Sequence, residues 1–254
     1  MSEFECKACD MEFANKDELM EHKKAVHMVD HASAKSVSPK LFVLWGAIGG
    51  FLGALGMLVV MMIAGNAAAW PVTMLGVIGF AMTGGSPTAM STMAVGLVLH
   101  LISSVVIGAV LGTLGFFLTR AGPVVNRFLA PVNLSRGATT GILGGIAVFL
   151  VYGLPMMMLM LEPALLKIAT NMATMQIATM NPGMPSSQVA MMAASMAQTI
   201  VNGMIPGLIA SFFVAHLVYG IVVGVTIGFG VCQSLRQSAH THAPSVSNVA
   251  SRAQ

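Results

Sequence analysis

Charge is what this sequence has least of. Only 8% of its 254 residues are Asp, Glu, Lys or Arg, and after residue 30 a single acid remains, Glu162. No carboxylate pair is therefore available over most of the chain for general acid–base work. H-E-x-x-H and G-x-S-x-G are also missing, so neither a metalloprotease nor a serine hydrolase can be assembled from its motifs. The chain is read as a non-enzyme. Cysteine is scarce too, with three residues (Cys6, Cys9 and Cys232), which excludes a disulfide scaffold. Aromatic residues make up 6%. What fills the space is apolar: 56% of residues are hydrophobic and the mean hydropathy is +0.83. That is the composition of a polytopic membrane protein.

The first 27 residues differ in character. Phe4, Cys6, Cys9, Phe13, Leu19, His22 and His27 read as F-x-C-x2-C-x3-F-x5-L-x2-H-x4-H. Two thiolates from a knuckle and two imidazoles about one helical turn apart suit a tetrahedral zinc shell. Phe13 and Leu19 would form the small apolar core of a module that folds only with its metal. On these residues the segment resembles the C2H2 zinc-finger family. The resemblance covers residues 4 to 27 and implies a ββα fold, with zinc held by Cys6, Cys9, His22 and His27.

The resemblance does not extend to DNA reading. Helix positions used for that purpose in the family fall here on Asn15, Asp17, Glu18 and Glu21, three of them acidic. Residues 1–30 carry eight acids against four Lys and Arg, a balance of −4. Nucleic-acid affinity rests on cationic neutralisation of phosphates, so a structural or protein-docking role is expected and nucleic acid is not an expected partner. Zinc-bound thiolates place this end in a reducing compartment, the cytoplasm.

Four stretches beyond the linker 31–40 are long and uncharged enough to span a bilayer: about 41–65, 91–119, 138–161 and 205–232. Together they define an all-α transmembrane domain over 41–236. Trp45 and Trp70 bracket the first span as interfacial anchors. Residues 71–84 are too short to cross and read as a re-entrant or interfacial helix. Residues 163–180 and 186–203 read as accessory helices, either on the outer surface or crossing as a hairpin. Residues 237–254 read as a disordered polar tail. Lys35 and Lys40 precede the first span, Arg120, Arg127 and Arg136 lie between the second and third, and Arg236 follows the fourth. By the positive-inside rule both termini are cytoplasmic.

The spans also repeat. GAIGGFLGALGMLVV (46–60) aligns with GATTGILGGIAVFLV (137–151), and HLISSVVIGAVLG (100–112) with HLVYGIVVGVTIG (216–228). The order suggests a duplicated two-span unit whose copies share one orientation, related by an axis along the membrane normal. Glycines four apart, such as Gly46/Gly50, Gly108/Gly112, Gly137/Gly141 and Gly224/Gly228, suit close helix contact. The membrane portion resembles uncharacterised prokaryotic membrane-protein families, and its pairing with one C2H2 finger suggests an archaeal cell membrane.

Two features carry possible chemistry. His100 and His216 occupy matched positions near the bilayer midplane, where a His is either a proton relay or metal site or else polar glue to Ser, Thr or Tyr. Methionine numbers 23, twelve of them between Met156 and Met204. Thioethers select Cu(I), but Met is also a flexible apolar filler. The leading expectation is a zinc-binding integral membrane protein whose cytosolic finger docks a protein partner or a second subunit. A transporter of a small solute, protons or copper is the second reading, and a membrane-tethered nucleic-acid binder is the third.

Overall fold

The computed structural model describes residues 4–6, 11–22, 37–67, 72–121, 125 and 128–242. The elements are β1 (Phe4–Cys6), β2 (Met11–Phe13), α1 (Lys16–His22), α2 (Pro39–Ala67), α3 (Met74–Thr83), α4 (Met90–Arg120), α5 (Leu134–Val148), α6 (Leu154–Met156), α7 (Glu162–Met180) and α8 (Ser186–His242). Two π-helical stretches, Phe149–Gly153 and Met157–Leu161, join α5, α6 and α7 into one run.

The expected fold class, a ββα zinc finger ahead of a four-span bundle, requires correction. The described chain is overwhelmingly helical, and no zinc-finger fold with an assembled metal cage is present in it. Its N-terminal part is a hairpin of two three-residue strands, pairing Phe4 with Phe13, and a seven-residue helix. Asn15 caps that helix through the Glu18 N–H, and Leu19 is buried. No three His, Cys, Asp or Glu side chains gather anywhere among the described residues. Cys9 and His27 lie outside the described residues, as do Trp70, Arg127 and the tail from 243 onward. A segment this short cannot bury enough apolar surface to define a fold without its metal.

Four helices are long and apolar enough to cross a membrane, beginning at Pro39, Met90, Leu134 and Ser186. This is an integral membrane protein. On one of these helices the side-chain distribution is inverted relative to a water-soluble bundle. On α4 the buried residues are small or polar: Thr92, Gly96, Ser104, Gly108, Gly112, Gly115 and Thr119. Val98, Ile102, Val106, Val110 and Leu114 form an exposed stripe at four-residue spacing on the same helix. Lipid tails leave no hydrophobic gain in burying Val or Ile, so the interior goes to residues that allow close backbone approach.

The aligned glycines make matching contacts in the two halves. A methyl at Gly46 would strike the Gly108 carbonyl and the Gly112 Cα, and one at Gly137 would strike the Gly224 carbonyl and touch the Gly228 Cα. Gly50 faces Ser104 and Gly108 just as Gly141 faces Gly220 and Gly224. The contacts run antiparallel, α2 against α4 and α5 against α8. α8 also packs antiparallel on α2, through Gly49 against Val223 and Gly53 against Tyr219. α2 and α5 therefore share one direction. The same pairings bring Lys40, Arg120, Arg136 and Arg236 to one end of the bundle.

The two seams between the halves differ. α2 and α8 meet closely, with Gly230 against the Trp45 ring. The equivalent seam between α4 and α5 is looser, since Gly144 meets only the Leu111 side chain at 3.4 Å. Thr140 stands in α5 where α2 has Gly49, and its hydroxyl donates to the Leu129 carbonyl at 2.6 Å. The glycine contacts thus match within the two pairs and differ between them.

The accessory helices are not separate elements. Leu134–Met180 is one 47-residue helix and α8 has 57 residues. At 1.5 Å per residue these are roughly 70 and 85 Å long, against about 30 Å of hydrocarbon. The α7–α8 hairpin therefore continues the third and fourth spans beyond the bilayer, held by Ala173, Ile177, Val189 and Ala193. Pro155 and Pro163 leave the carbonyls of Val151 and Leu159 without their i→i−4 donors. Each of those residues lies inside a π-helical stretch, where widening by one residue accommodates the ring without ending the helix. The short helix α3 does not span. It lies antiparallel on the start of α4, with Gly79 against Thr92 and Gly96 against Leu75. Its C-terminus is closed by Gly84 in the left-handed conformation, φ 68°.

Replacing Gly141 by Leu is expected to separate α5 from α8 and lower stability by about 1–3 kcal/mol. Gly207, with open space around it, should accept Ala with no loss or a gain of up to about 1 kcal/mol. Thermal unfolding of both variants in one detergent checks the contrast.

Candidate functional site

The two buried-face histidines line the same chamber. It has a volume of about 410 Å3 and lies between the halves, along the open seam of α4 with the α5–α6 run. α8 closes its back and α2 and α3 cover one side. A second cavity of about 200 Å3 follows the same seam, between residues 111–118 of α4 and 140–147 of α5. The two therefore succeed one another along the bundle. Most of the chamber wall is apolar. Its polar groups are His100, Ser103, Ser104, Tyr152, His216 and Tyr219.

His216 is fixed by its own helix. It is 4% exposed, and Nδ1 lies 2.7 Å from the Phe212 carbonyl one turn back. A carbonyl only accepts, so Nδ1 carries the proton and Nε2 of the neutral ring carries the lone pair. The ring lies nearly parallel to Phe212 and edge-on to Phe149. Nε2 faces Gly153, where a methyl would come within 2.8 Å of it. The glycine is required there because any side chain would press on the imidazole. Nε2 makes no hydrogen bond among the described residues.

His100 on α4 is held instead by a neighbouring helix and through its other nitrogen. Its Nε2 is 3.3 Å from the Ala54 carbonyl of α2. That leaves Nδ1 of the neutral ring as the acceptor nitrogen. Ala54 aligns with Gly145, and Gly145 faces the backbone of His216. The two histidines thus sit at equivalent levels of the two helix pairs. Neither imidazole bonds to the Ser, Thr or Tyr hydroxyls expected of polar glue, and backbone carbonyls take that place. Tyr219, an expected partner, instead donates to the Ser104 carbonyl at 2.6 Å and ties α8 to α4.

Methionines make up the rest of the distinctive wall. Met57, Met61, Met74, Met82, Met156 and Met160 all reach the chamber. Of these Met57 is buried, and Met61, Met74 and Met156 are half-buried. The Met-rich stretch beginning at Met156 pointed to Met156 and Met160, but nothing in the sequence singled out Met74, Met82 or Gly153, the last of which is placed by a π-helical stretch. Met175, Met180 and Met191 are exposed on the α7–α8 hairpin, whereas Met157 is buried in the bundle.

The zinc quartet expected at the N-terminus falls only half within the described residues. Cys6 closes β1 and His22 ends α1, while Cys9 and His27 lie outside them. Two thiols and two imidazoles are a donor set that suits Zn2+. When bound, zinc would supply cross-linking of the hairpin to the helix and no reaction chemistry.

Tyr219→Phe removes the bond to Ser104 and is expected to cost about 1 kcal/mol, since that carbonyl keeps its helical partner. Tyr152→Phe, at an exposed ring, should change nothing. Unfolding temperatures of the two variants in the same detergent decide the matter.

No protein-family model, no curated protein and no solved structure matches this chain, so its chamber is read from its own chemistry.

Proposed function

We propose that this chain is a membrane transporter for a small solute, with the His100–His216 chamber as its binding site. One observation carries the reading: matched histidines from the two helix pairs line one cavity, and a second cavity follows it along the same seam. Ionisable side chains at membrane depth are costly and belong to pathways and binding sites. Imidazoles with an acceptor nitrogen in an apolar wall offer such a site. The basic residues at one end of the bundle support an orientation with that end, and both termini, in the cytoplasm. The α7–α8 hairpin then faces outward.

The ligand spacing of Cys6, Cys9, His22 and His27 favours a second role for the N-terminus. In it these residues bind one zinc, and the acidic segment docks a protein partner or a second copy of the chain instead of nucleic acid. The archaeal or other prokaryotic cell membrane is the proposed setting.

Ser103→Cys in a chain otherwise free of cysteine tests the chamber. A small thiol reagent should modify the introduced thiol, and prior occupation of the chamber should protect it. An unreactive thiol at position 103 in folded protein would remove the binding-site reading. For the N-terminus, metal analysis of the full chain should find one zinc, and Cys9→Ser should lose it. Stoichiometric zinc in that variant contradicts the ligand assignment.

A further inference from the structure

We propose that the chamber binds a soft monovalent metal ion, Cu(I), through the free imidazole nitrogens of His100 and His216 and the thioethers of Met57, Met61 and Met156. This rests on the chamber being a binding site and names what it takes. Metal-binding histidines characteristically donate their second N–H to a carbonyl, which sets the tautomer and aims the other nitrogen at the metal. Both histidines do this, to Ala54 and to Phe212. The hydrogen bonds leave one acceptor nitrogen on each ring, and for His216 that nitrogen is buried beside Gly153 without a partner among the described residues.

The donor set selects the ion. No three His, Cys, Asp or Glu side chains gather among the described residues, so hard divalent ions that need several carboxylates have no cage here. Imidazole with thioether is a combination that favours Cu(I). Charge points the same way. With neutral ligands the ion keeps its full charge in an apolar wall, and the Born cost rises with the square of that charge. A monovalent ion meets about a quarter of the cost a divalent one would. The only acid beyond residue 30, Glu162, does not line the chamber. Binding here involves no electron transfer, and the ion enters and leaves as Cu(I).

The test uses the full-length protein in detergent, with Cys6, Cys9 and Cys232 changed to Ser so that no thiolate competes. Cu(I) is titrated anaerobically against a chromophoric chelator. The parent is expected to withdraw one Cu(I) per chain. Met57→Leu, Met61→Leu and Met156→Leu together, which nearly conserve volume, should weaken binding at least about tenfold. Met175→Leu, Met180→Leu and Met191→Leu on the hairpin should leave it unchanged. X-ray absorption of the loaded parent should show both sulfur and imidazole scatterers. No competing Cu(I), equal binding by the chamber variant, loss in the hairpin variant alone, or a shell without imidazole would each overturn the assignment. A reactive thiol in the Ser103→Cys protein combined with any of these outcomes would leave the chamber standing and remove only Cu(I).

Discussion

Lipid gives these helices no hydrophobic reason to associate, and everything else in the bundle depends on how they overcome that. Association comes from close backbone approach, which large side chains prevent. Gly46, Gly50, Gly108 and Gly112 join α2 to α4, and Gly137, Gly141, Gly220 and Gly224 join α5 to α8. On α4 the large residues are sent outward, where lipid receives them at no cost, while Phe42, Tyr219 and Val223 stay buried where α2 meets α8. The histidines are placed by this constraint. Each lies a few turns from the glycines of its own pair, so fixing the glycine contact fixes the depth of the imidazole.

The chamber follows from where the same device is missing. Between the halves, Gly49 and Gly53 let α2 settle on α8, whereas α5 carries Thr140 at the position equivalent to Gly49 and meets α4 only loosely. The seam left open contains both cavities. Pro155 and Pro163 act on the same region by forcing two π-helical stretches, and the first of these sets Gly153 against His216. A bundle packed equally on both seams would have no interior site, and its histidines would meet backbone alone.

Much of this was legible in the sequence. The spans could be read because twenty or so uncharged residues in a row suit a bilayer crossing and little else, and the duplication because His100 and His216 carry the same glycine spacing. The continuity of the third and fourth helices was not legible. Asn181-Pro182-Gly183 breaks the chain visibly, whereas Pro163 resembles a helix start as much as an interruption, and a π-helical detour leaves no periodic signal. The partners of the histidines were hidden for a similar reason: a backbone carbonyl is offered by every residue, so composition cannot indicate which one an imidazole will choose. At the N-terminus the ligand spacing was plain, but spacing alone does not assemble a fold that forms only around its metal.

The central claim is that the α2–α8 seam is closed and brings the two helix pairs around one chamber. The most direct measurement is a disulfide between Gly56→Cys and Val218→Cys, introduced in a chain whose native cysteines are changed to Ser. A methyl at Gly56 lies 3.2 Å from a side-chain carbon of Val218, within reach of a cross-link after small adjustment. Mild oxidation in native membranes should join the two positions, as read by mass spectrometry of the linked peptides. Two cysteines that both remain open to alkylation after oxidation would contradict the arrangement.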